Sequence, residues 1–181
     1  MPRIHILGAS GSGTTTLGAA LASRNGWVHE DSDRYFWLPT DPPFTMPRTR
    51  EARMALLLPR LQAGMDWVFS GSAVSWAGAA EPLYDLVIYV TLDPALRMAR
   101  LRAREAEHHG ERIAPGGDMH AASAEFLAWA EAYDTAGPGQ RSQVLHAAWL
   151  AERSCPVLRL DSAEPVTLLV EAVEAWLKSN A

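Results

Sequence analysis

Cysteine, lysine and long apolar runs are scarce in this sequence, and each shortage excludes a class of protein. The single cysteine, Cys155, excludes an internal disulfide framework and is typical of a chain kept in a reducing compartment. No apolar run approaches the ~18–20 residues that a membrane-spanning helix needs. The first residues are strand-like and show no hydrophobic region of a signal peptide. We therefore expect a cytoplasmic protein that has no membrane partner.

Basic residues are in the minority, and almost all of them are arginine. The 181 residues include 16 Lys plus Arg against 21 Asp plus Glu, which gives a net charge of −5. This balance argues against nucleic acid as the main partner, because binding to a phosphate backbone depends on a basic face. Lys178 is the single lysine. Any phosphate chemistry must therefore rely on arginine, backbone N–H groups or a metal ion.

Short β-branched runs alternate with helical stretches along the whole chain, and apolar residues make up 48% of it. This order is typical of βαβ units and a parallel sheet. The predicted strands are Arg3–Leu7, Trp27–Glu30, Trp67–Ser70, Leu86–Thr91 and Val157–Leu160. The predicted helices are about Thr14–Arg24, Arg50–Ala63, Pro94–His108, Ala121–Asp134, Gln140–Glu152 and Val166–Lys178. We expect one domain over residues 1–181, with a lid-like loop at about 105–120.

The sharpest motif is a glycine-rich segment that follows the first predicted strand and opens the first helix. It reads Gly8-Ala9-Ser10-Gly11-Ser12-Gly13-Thr14-Thr15-Thr16. Glycine lets a backbone turn tightly and present N–H groups to an anion, and the helix N-terminus adds unpaired donors. We interpret the segment as a nucleotide-phosphate site in which the Thr15 hydroxyl coordinates Mg²⁺. The alternative is a loop that only turns strand into helix.

The motif departs from the usual phosphate-binding pattern at position 14, where threonine stands in place of lysine. That lysine contacts the β- and γ-phosphates and stabilises the charge that develops during transfer. One charge at ~4 Å in an effective dielectric of ~20 is worth about 4 kcal/mol. Two interpretations stay open: an arginine from elsewhere substitutes for the lysine, or the protein binds nucleotide with little catalysis.

Two further groups of charged residues follow predicted strands. Asp31 and Asp33 come after the second strand and point the same way in an extended chain, at the strand end where ligands bind in such sheets. Arg97, Arg100 and Arg104 follow the fourth strand at i, i+3 and i+7, so they share one helical face. The structural alternatives are a turn or capping role for the carboxylates and a solvated surface for the arginines.

With these three motifs, the chain resembles the P-loop kinases of nucleotides and small molecules, of the adenylate kinase-like and shikimate kinase-like patterns. The resemblance implies a three-layer α/β fold, with a parallel five-stranded sheet of order 2-3-1-4-5 flanked by helices and with a small lid. It also implies that ATP, with Mg²⁺, donates its γ-phosphoryl to a small acceptor, either a nucleoside monophosphate or a small hydroxy metabolite. The alternative is a nucleotide-binding regulatory or sensor protein with weak or no kinase activity.

The resemblance also assigns roles to the charged residues. Asp31 would hold Mg²⁺ through water, beside Thr15. Asp33 would orient the acceptor hydroxyl and could take its proton. Arg100 and Arg104 match the paired lid arginines that contact ATP, and they would neutralise charge when the lid closes.

Candidate acceptor-binding residues are Trp37, Arg48 and Gly71, together with Asp33. Trp37 could stack on a flat acceptor, Arg48 could grip an anionic group, and Gly71 would let an acceptor approach closely. The alternatives are an aromatic plug over the core and a simple turn. Arg141, ahead of a later helix, fits a return to the site and a surface position equally well.

Overall fold

The computed structural model describes residues 2–180, in which five parallel strands form one sheet. The strands are β1 Arg3–Gly8, β2 Val28–Asp31, β3 Trp67–Ser70, β4 Leu86–Thr91 and β5 Val157–Asp161. Their order in the sheet is β2-β3-β1-β4-β5, which confirms the predicted fold class. Each predicted strand lies within one residue of its observed bounds.

Helices connect the strands. They are α1 Thr14–Asn25, α2 Ser32–Phe36, α3 Arg50–Leu61, α4 Pro94–His109, α5 His120–Glu131, α6 Gln143–Ala151 and α7 Val166–Ser179, with 3-10 turns at Gly78–Leu83, Gly110–Ile113 and Ala132–Asp134. None of the helices in the described part of the chain combines the length and the apolarity that crossing a membrane requires.

Both faces of the sheet are buried, as in other parallel sheets. Ile4, Ile6 and Ile88 pack on one face against α1 and α7. Leu7 and Phe69 pack on the other face against α3 and α6. Side chains therefore alternate between two hydrophobic layers, and polar groups gather where the strands end.

Two regions differ from the prediction. Helix α2 was not predicted: it is five residues long, and the Asp31 side chain caps it by accepting from the backbone N–H of Asp33. Helical structure also extends further into the 105–120 segment than expected, because α4 continues to His109 and a 3-10 turn follows to Ile113. A lid role for that segment remains a prediction.

A histidine in β1 is wholly buried in the apolar layer. His5 stacks between Phe69 and Tyr84, with ring centroids 5.0 and 4.8 Å away. Its Nδ1 lies 2.9 Å from the carbonyl oxygen of Phe69 and so must carry the proton, while Nε2 has no partner within residues 2–180. Protonating Nε2 would create a buried donor without an acceptor, and burial lowers the pKa of His5 to about 4.

We predict that His5 makes the protein sensitive to mild acid. The unfolded chain binds more protons than the folded one between the ordinary pKa of 6.5 and the folded pKa of about 4. The contribution of neutral His5 to the free energy of unfolding is complete above this window, and at pH 5 it is smaller by about 2 kcal/mol. Replacement His5→Phe keeps the stacking and should reduce the difference in unfolding free energy between pH 7 and pH 5 by that amount in urea titrations.

The control for this measurement is His108→Phe, which changes an exposed histidine of α4 and should leave the difference between the two pH values unaltered. Equal pH dependence in the wild type and in His5→Phe would show that His5 does not carry the effect.

Candidate functional site

The glycine-rich loop joins β1 to α1 and depends on glycine at two left-handed positions. Gly11 has φ of 84° and Gly13 has φ of 88°, a region that residues with a side chain rarely adopt. A Cβ on Gly11 would lie 2.9 Å from the carbonyl oxygen of Arg97. The loop therefore rests directly on the start of α4, and its backbone curves round the N-terminus of α1.

An open cavity of about 490 Å³ lies above the loop and brings together residues that the sequence placed in separate motifs. Its lining includes Arg100 and Arg104 of α4, the segment from Ser162 to Val166, and the loop and first turn of α1 as Gly11, Gly13, Thr14, Thr15 and Thr16. Of the remaining loop residues, Ser12 is buried, and its hydroxyl has no partner in the described chain. The first turn of α1, with its threonine hydroxyls, and the two guanidinium-bearing side chains thus border one space that suits a polyphosphate.

Three oxygen-bearing side chains from three elements meet beside the loop. Thr15 Oγ1 donates to Asp31 Oδ2 at 2.7 Å, and Ser70 Oγ donates to the same oxygen at 3.1 Å. His29 Nε2 lies 2.9 Å from Ser70 Oγ on the far side. Carboxylate and hydroxyl oxygens are the ligands that Mg²⁺ prefers, usually with waters and substrate phosphates completing the shell. The donor set at Thr15 and Asp31 therefore fits the predicted ion.

Asp33 follows in the first turn of α2, with its side chain exposed to solvent. Partial desolvation by the surrounding protein, and then the negative charge of Asp31, raises the pKa of the Asp33 carboxyl above its ordinary value. The positive charges of Arg141 and Arg104 act in the opposite direction. Asp33 is thus a carboxylate that faces two cations, next to the predicted metal ligands.

Arg97, Arg100 and Arg104 of α4 have different surroundings, although they share a helical face. Arg97 is buried, its NH2 group lies 2.7 Å from Asp134 Oδ2, and its NH1 group donates to the carbonyl oxygens of Ala130 and Ser10. Arg97 therefore supports the loop from beneath. Arg100 donates to the carbonyl of Ser162 at 3.0 Å. The Arg104 side chain is 48% exposed, with a loose ion pair to the neighbouring Glu105. Arg100 and Arg104 are the two that can reach a ligand.

The predicted acceptor-binding residues lie around α2, where each has a structural contact. Arg48 NH1 donates to the backbone carbonyls of Arg34, Tyr35 and Trp37, so it holds the chain that follows α2. Trp37 packs edge-on against Phe36 and Phe44. Gly71 has φ of 96°, and a Cβ there would lie 2.0 Å from Ser32 Oγ. Their roles in binding an acceptor remain predictions.

The structure adds one charged residue to this edge of the sheet. Arg141, in the loop before α6, donates from NH1 to Ser10 Oγ at 3.2 Å and from NH2 to the carbonyl of Ser72 at 3.4 Å. Local sequence gives little signal for this placement, because it follows from contacts with residues of the phosphate loop, the end of β3 and α5. The Gly137-Pro138-Gly139 turn ahead of it was the available sign that the chain reverses there.

A curated relative decides the family of this chain. The uncharacterized protein YqaC of Bacillus subtilis (strain 168) is 41% identical over 177 residues, which are 98% of this chain and 98% of the relative. The chain belongs to the YqaC family. No protein-family model matches this member of the family.

Solved structures show which fold this YqaC-family chain has. A shikimate kinase from Bacteroides thetaiotaomicron aligns with a TM-score of 0.61 at 17% identity, over 98% of each chain. A sugar kinase from Janibacter sp. HTCC2649 aligns with a TM-score of 0.55 at 17% identity, over 98% of this chain and 95% of its own. A gluconokinase from Sinorhizobium meliloti 1021 aligns with 0.52 at 17% identity, over 99% and 94%. At such identities the likeness establishes the P-loop kinase fold.

We predict that Gly71→Ala destabilises this YqaC-family protein by at least about 2 kcal/mol. The backbone at position 71 has a positive φ that strains an alanine, and the added Cβ would meet Ser32 at the start of α2. The matched control is Gly137→Ala, since a Cβ at that exposed glycine would have no atom within 4 Å. Denaturant titration of both variants is the measurement. Equal stabilities of the two would contradict the close approach of α2 to the end of β3.

Proposed function

We propose that this protein is a Mg²⁺-dependent phosphotransferase that moves the γ-phosphoryl group of ATP to a small acceptor. The acceptor is a nucleoside monophosphate or a small hydroxy metabolite. The observation that carries the proposal is the convergence of separate motifs at one edge of the sheet: Thr15 Oγ1 lies 2.7 Å from Asp31 Oδ2, and Arg100 and Arg104 line the cavity above the loop.

The phosphate loop would hold ATP through its backbone. The residues at the start of α1 line the cavity, and the N–H groups of a first helical turn are free to bind phosphate oxygens. Bound Mg²⁺ would neutralise charge on the β- and γ-phosphates. Thr15 and Asp31 would hold that ion from the protein side.

Asp33 would act on the acceptor. Its raised pKa makes it a stronger base than an ordinary aspartate, while Arg141 and Arg104 favour the ionised form that can accept a proton. In the proposed step, the acceptor hydroxyl oxygen attacks the γ-phosphorus and its proton passes to Asp33. The bond from the γ-phosphorus to the β–γ bridging oxygen breaks, and ADP leaves with that electron pair.

The segment 105–120 would close over the site as a lid. Arg112 bonds both Asp118, at 2.7 Å, and Asp41, at 2.8 Å, and Asp41 belongs to the chain that follows α2. This ion pair links the proposed lid to the acceptor side. Its groups are exposed to solvent, so the ion pair is weak and breaks readily.

Composition supports the remaining expectations. With a net charge of −5, we propose small molecules rather than nucleic acid as partners. The single cysteine supports a cytoplasmic location.

A second candidate is a nucleotide sensor that turns over little, and threonine at position 14 is the observation in its favour. If nothing replaces the lysine charge, Thr14→Lys should raise activity by a large factor. A wild-type protein that binds ATP but forms no ADP with any acceptor would support this candidate over the kinase.

We predict that purified wild-type protein forms ADP from ATP and Mg²⁺ in the presence of at least one member of a panel of nucleosides, nucleoside monophosphates and hydroxy acids. Asp33→Asn should lower the acceptor-dependent rate about a hundredfold, because the base is lost. Its ATP affinity, measured by calorimetry, should stay within about threefold, since Asp33 serves the acceptor rather than the phosphates.

The control for Asp33→Asn is Glu125→Gln, which removes one negative charge from an exposed position on α5 and should leave both quantities unchanged. Full activity of Asp33→Asn would reject Asp33 as the base. An absence of acceptor-dependent ADP across the whole panel would reject the kinase proposal.

A further inference from the structure

One arginine of the site, Arg141, lies within the influence of the Asp33 charge but forms no ion pair with it in the described chain. Arg141 is half-buried between the phosphate loop and the end of β3, and it makes no ion pair within residues 2–180. Two other buried arginines do have acidic partners: Arg97 pairs with Asp134, and Arg153 pairs with Glu81. A buried cation without a counter-ion costs free energy. An anion that bound beside Arg141 would offset that cost.

The surroundings of Arg141 hold its charge in place. Its guanidinium lies over the ring of Trp129, 5.1 Å from the centroid. Desolvation by the surrounding protein lowers the pKa of Arg141, and the Asp33 carboxylate opposes this. An arginine stays protonated under these conditions. Two of its N–H groups bond Ser10 and Ser72, so three of the five remain for a ligand.

A buried chain of hydrogen bonds ends at Ser72, whose carbonyl oxygen accepts from Arg141. Tyr89 and Tyr133 join through their hydroxyls at 2.8 Å, Tyr133 reaches His146 Nδ1 at 2.9 Å, and His146 Nε2 reaches Ser72 Oγ at 2.9 Å. Burial, and then the charge of Arg141, lowers the pKa of His146 to about 3. His146 is therefore neutral at physiological pH, and it orients Ser72 without adding a positive charge.

The other arginines near the loop are placed differently. Arg97 lies under the loop and is committed to Asp134. Arg100 and Arg104 line the cavity on the side of Ser162. Arg141 bonds Ser10 of the loop and also lies near enough to Asp33 to affect its pKa. Arg104 also affects the pKa of Asp33, so what distinguishes Arg141 among these four is its bond to a side chain of the phosphate loop.

We propose that Arg141 supplies the positive charge that a lysine at position 14 supplies in the usual phosphate-binding motif, and that its guanidinium binds the γ-phosphoryl group of ATP. This inference rests on the proposed function. Arginine suits the task, because its planar donors match phosphate oxygens in pairs. The positive charge thus comes from Arg141 in the loop before α6, and Thr14 is a residue of the first turn of α1.

The test compares ATP with ADP, because ADP lacks the γ-phosphoryl group. Calorimetry with Mg²⁺ should show that Arg141→Ala weakens ATP binding at least about tenfold, while ADP binding stays within about twofold. Position 14 lines the open cavity. Thr14→Lys in the Arg141→Ala background should therefore restore most of the ATP affinity.

The matched control is Arg102→Ala, which removes the same charge from a 53% exposed side chain of α4 and should preserve the preference for ATP. Arg141→Met retains an unbranched stem against Trp129, and it serves as the test variant if Arg141→Ala does not fold. An unaltered ratio of ATP to ADP affinity in these variants overturns the inference. A loss that Thr14→Lys does not restore overturns it too, since Arg141 then acts only through structure.

Failure of the underlying function has a different signature. If the wild-type protein binds neither ATP nor ADP, the assignment of the nucleotide site is wrong, whatever the variants do. If the wild type binds ATP and the Arg141 variants bind it with the same affinity, the nucleotide site stands and the assignment to Arg141 fails.

Discussion

Both oxygens of Asp31 are used in hydrogen bonds, and the arrangement of the site depends on them. Oδ2 accepts from Thr15 in α1 and from Ser70 in β3, and Oδ1 accepts from the backbone N–H of Asp33. One carboxylate thus joins the phosphate loop to the sheet and starts the short helix that carries Asp33. Loss of this carboxylate would separate the proposed donor side from the proposed acceptor side.

Arginine serves three separate purposes around this carboxylate. Arg97 is a buried structural support, with its own acidic partner and two backbone acceptors. Arg100 and Arg104 are exposed at the cavity, where a ligand can reach them. Arg141 is half-buried and forms no ion pair with a carboxylate in the described chain. A chain with one lysine in 181 residues can therefore still surround a phosphate with several cations.

The sheet could be predicted from sequence because its signals are local. Buried β-branched runs bounded by turn residues locate each strand, and the glycine-rich loop before α1 implies the P-loop arrangement. Helix α2 was missed because five residues are too few to show a helical period; its start depends on the capping carboxylate of Asp31. Convergence of Thr15 with Asp31 could be anticipated, since both follow strands that end at the same edge.

Long-range packing explains what the sequence could not supply. The spacing of Arg97, Arg100 and Arg104 places them on one helical face, but it does not say that the first of them lies under the loop. Arg141 reaches the site through its contacts with Ser10 and Ser72, and Gly71 is needed because Ser32 lies against it. Contacts between residues this far apart in the chain carry no local pattern.

The seat of Gly11 on Arg97 also limits how the molecule can move. Gly11 approaches the backbone of Arg97 too closely for any side chain, and Arg97 in turn bonds the carbonyl of Ser10. The loop and the first turn of α4 are therefore held in direct contact. The proposed lid at 105–120 would have to move about a point beyond that contact, and Gly110, with φ of 50° and open space around it, lies where α4 ends. Closure about Gly110 would move the residues that follow α4 and leave the phosphate loop and α4 in place.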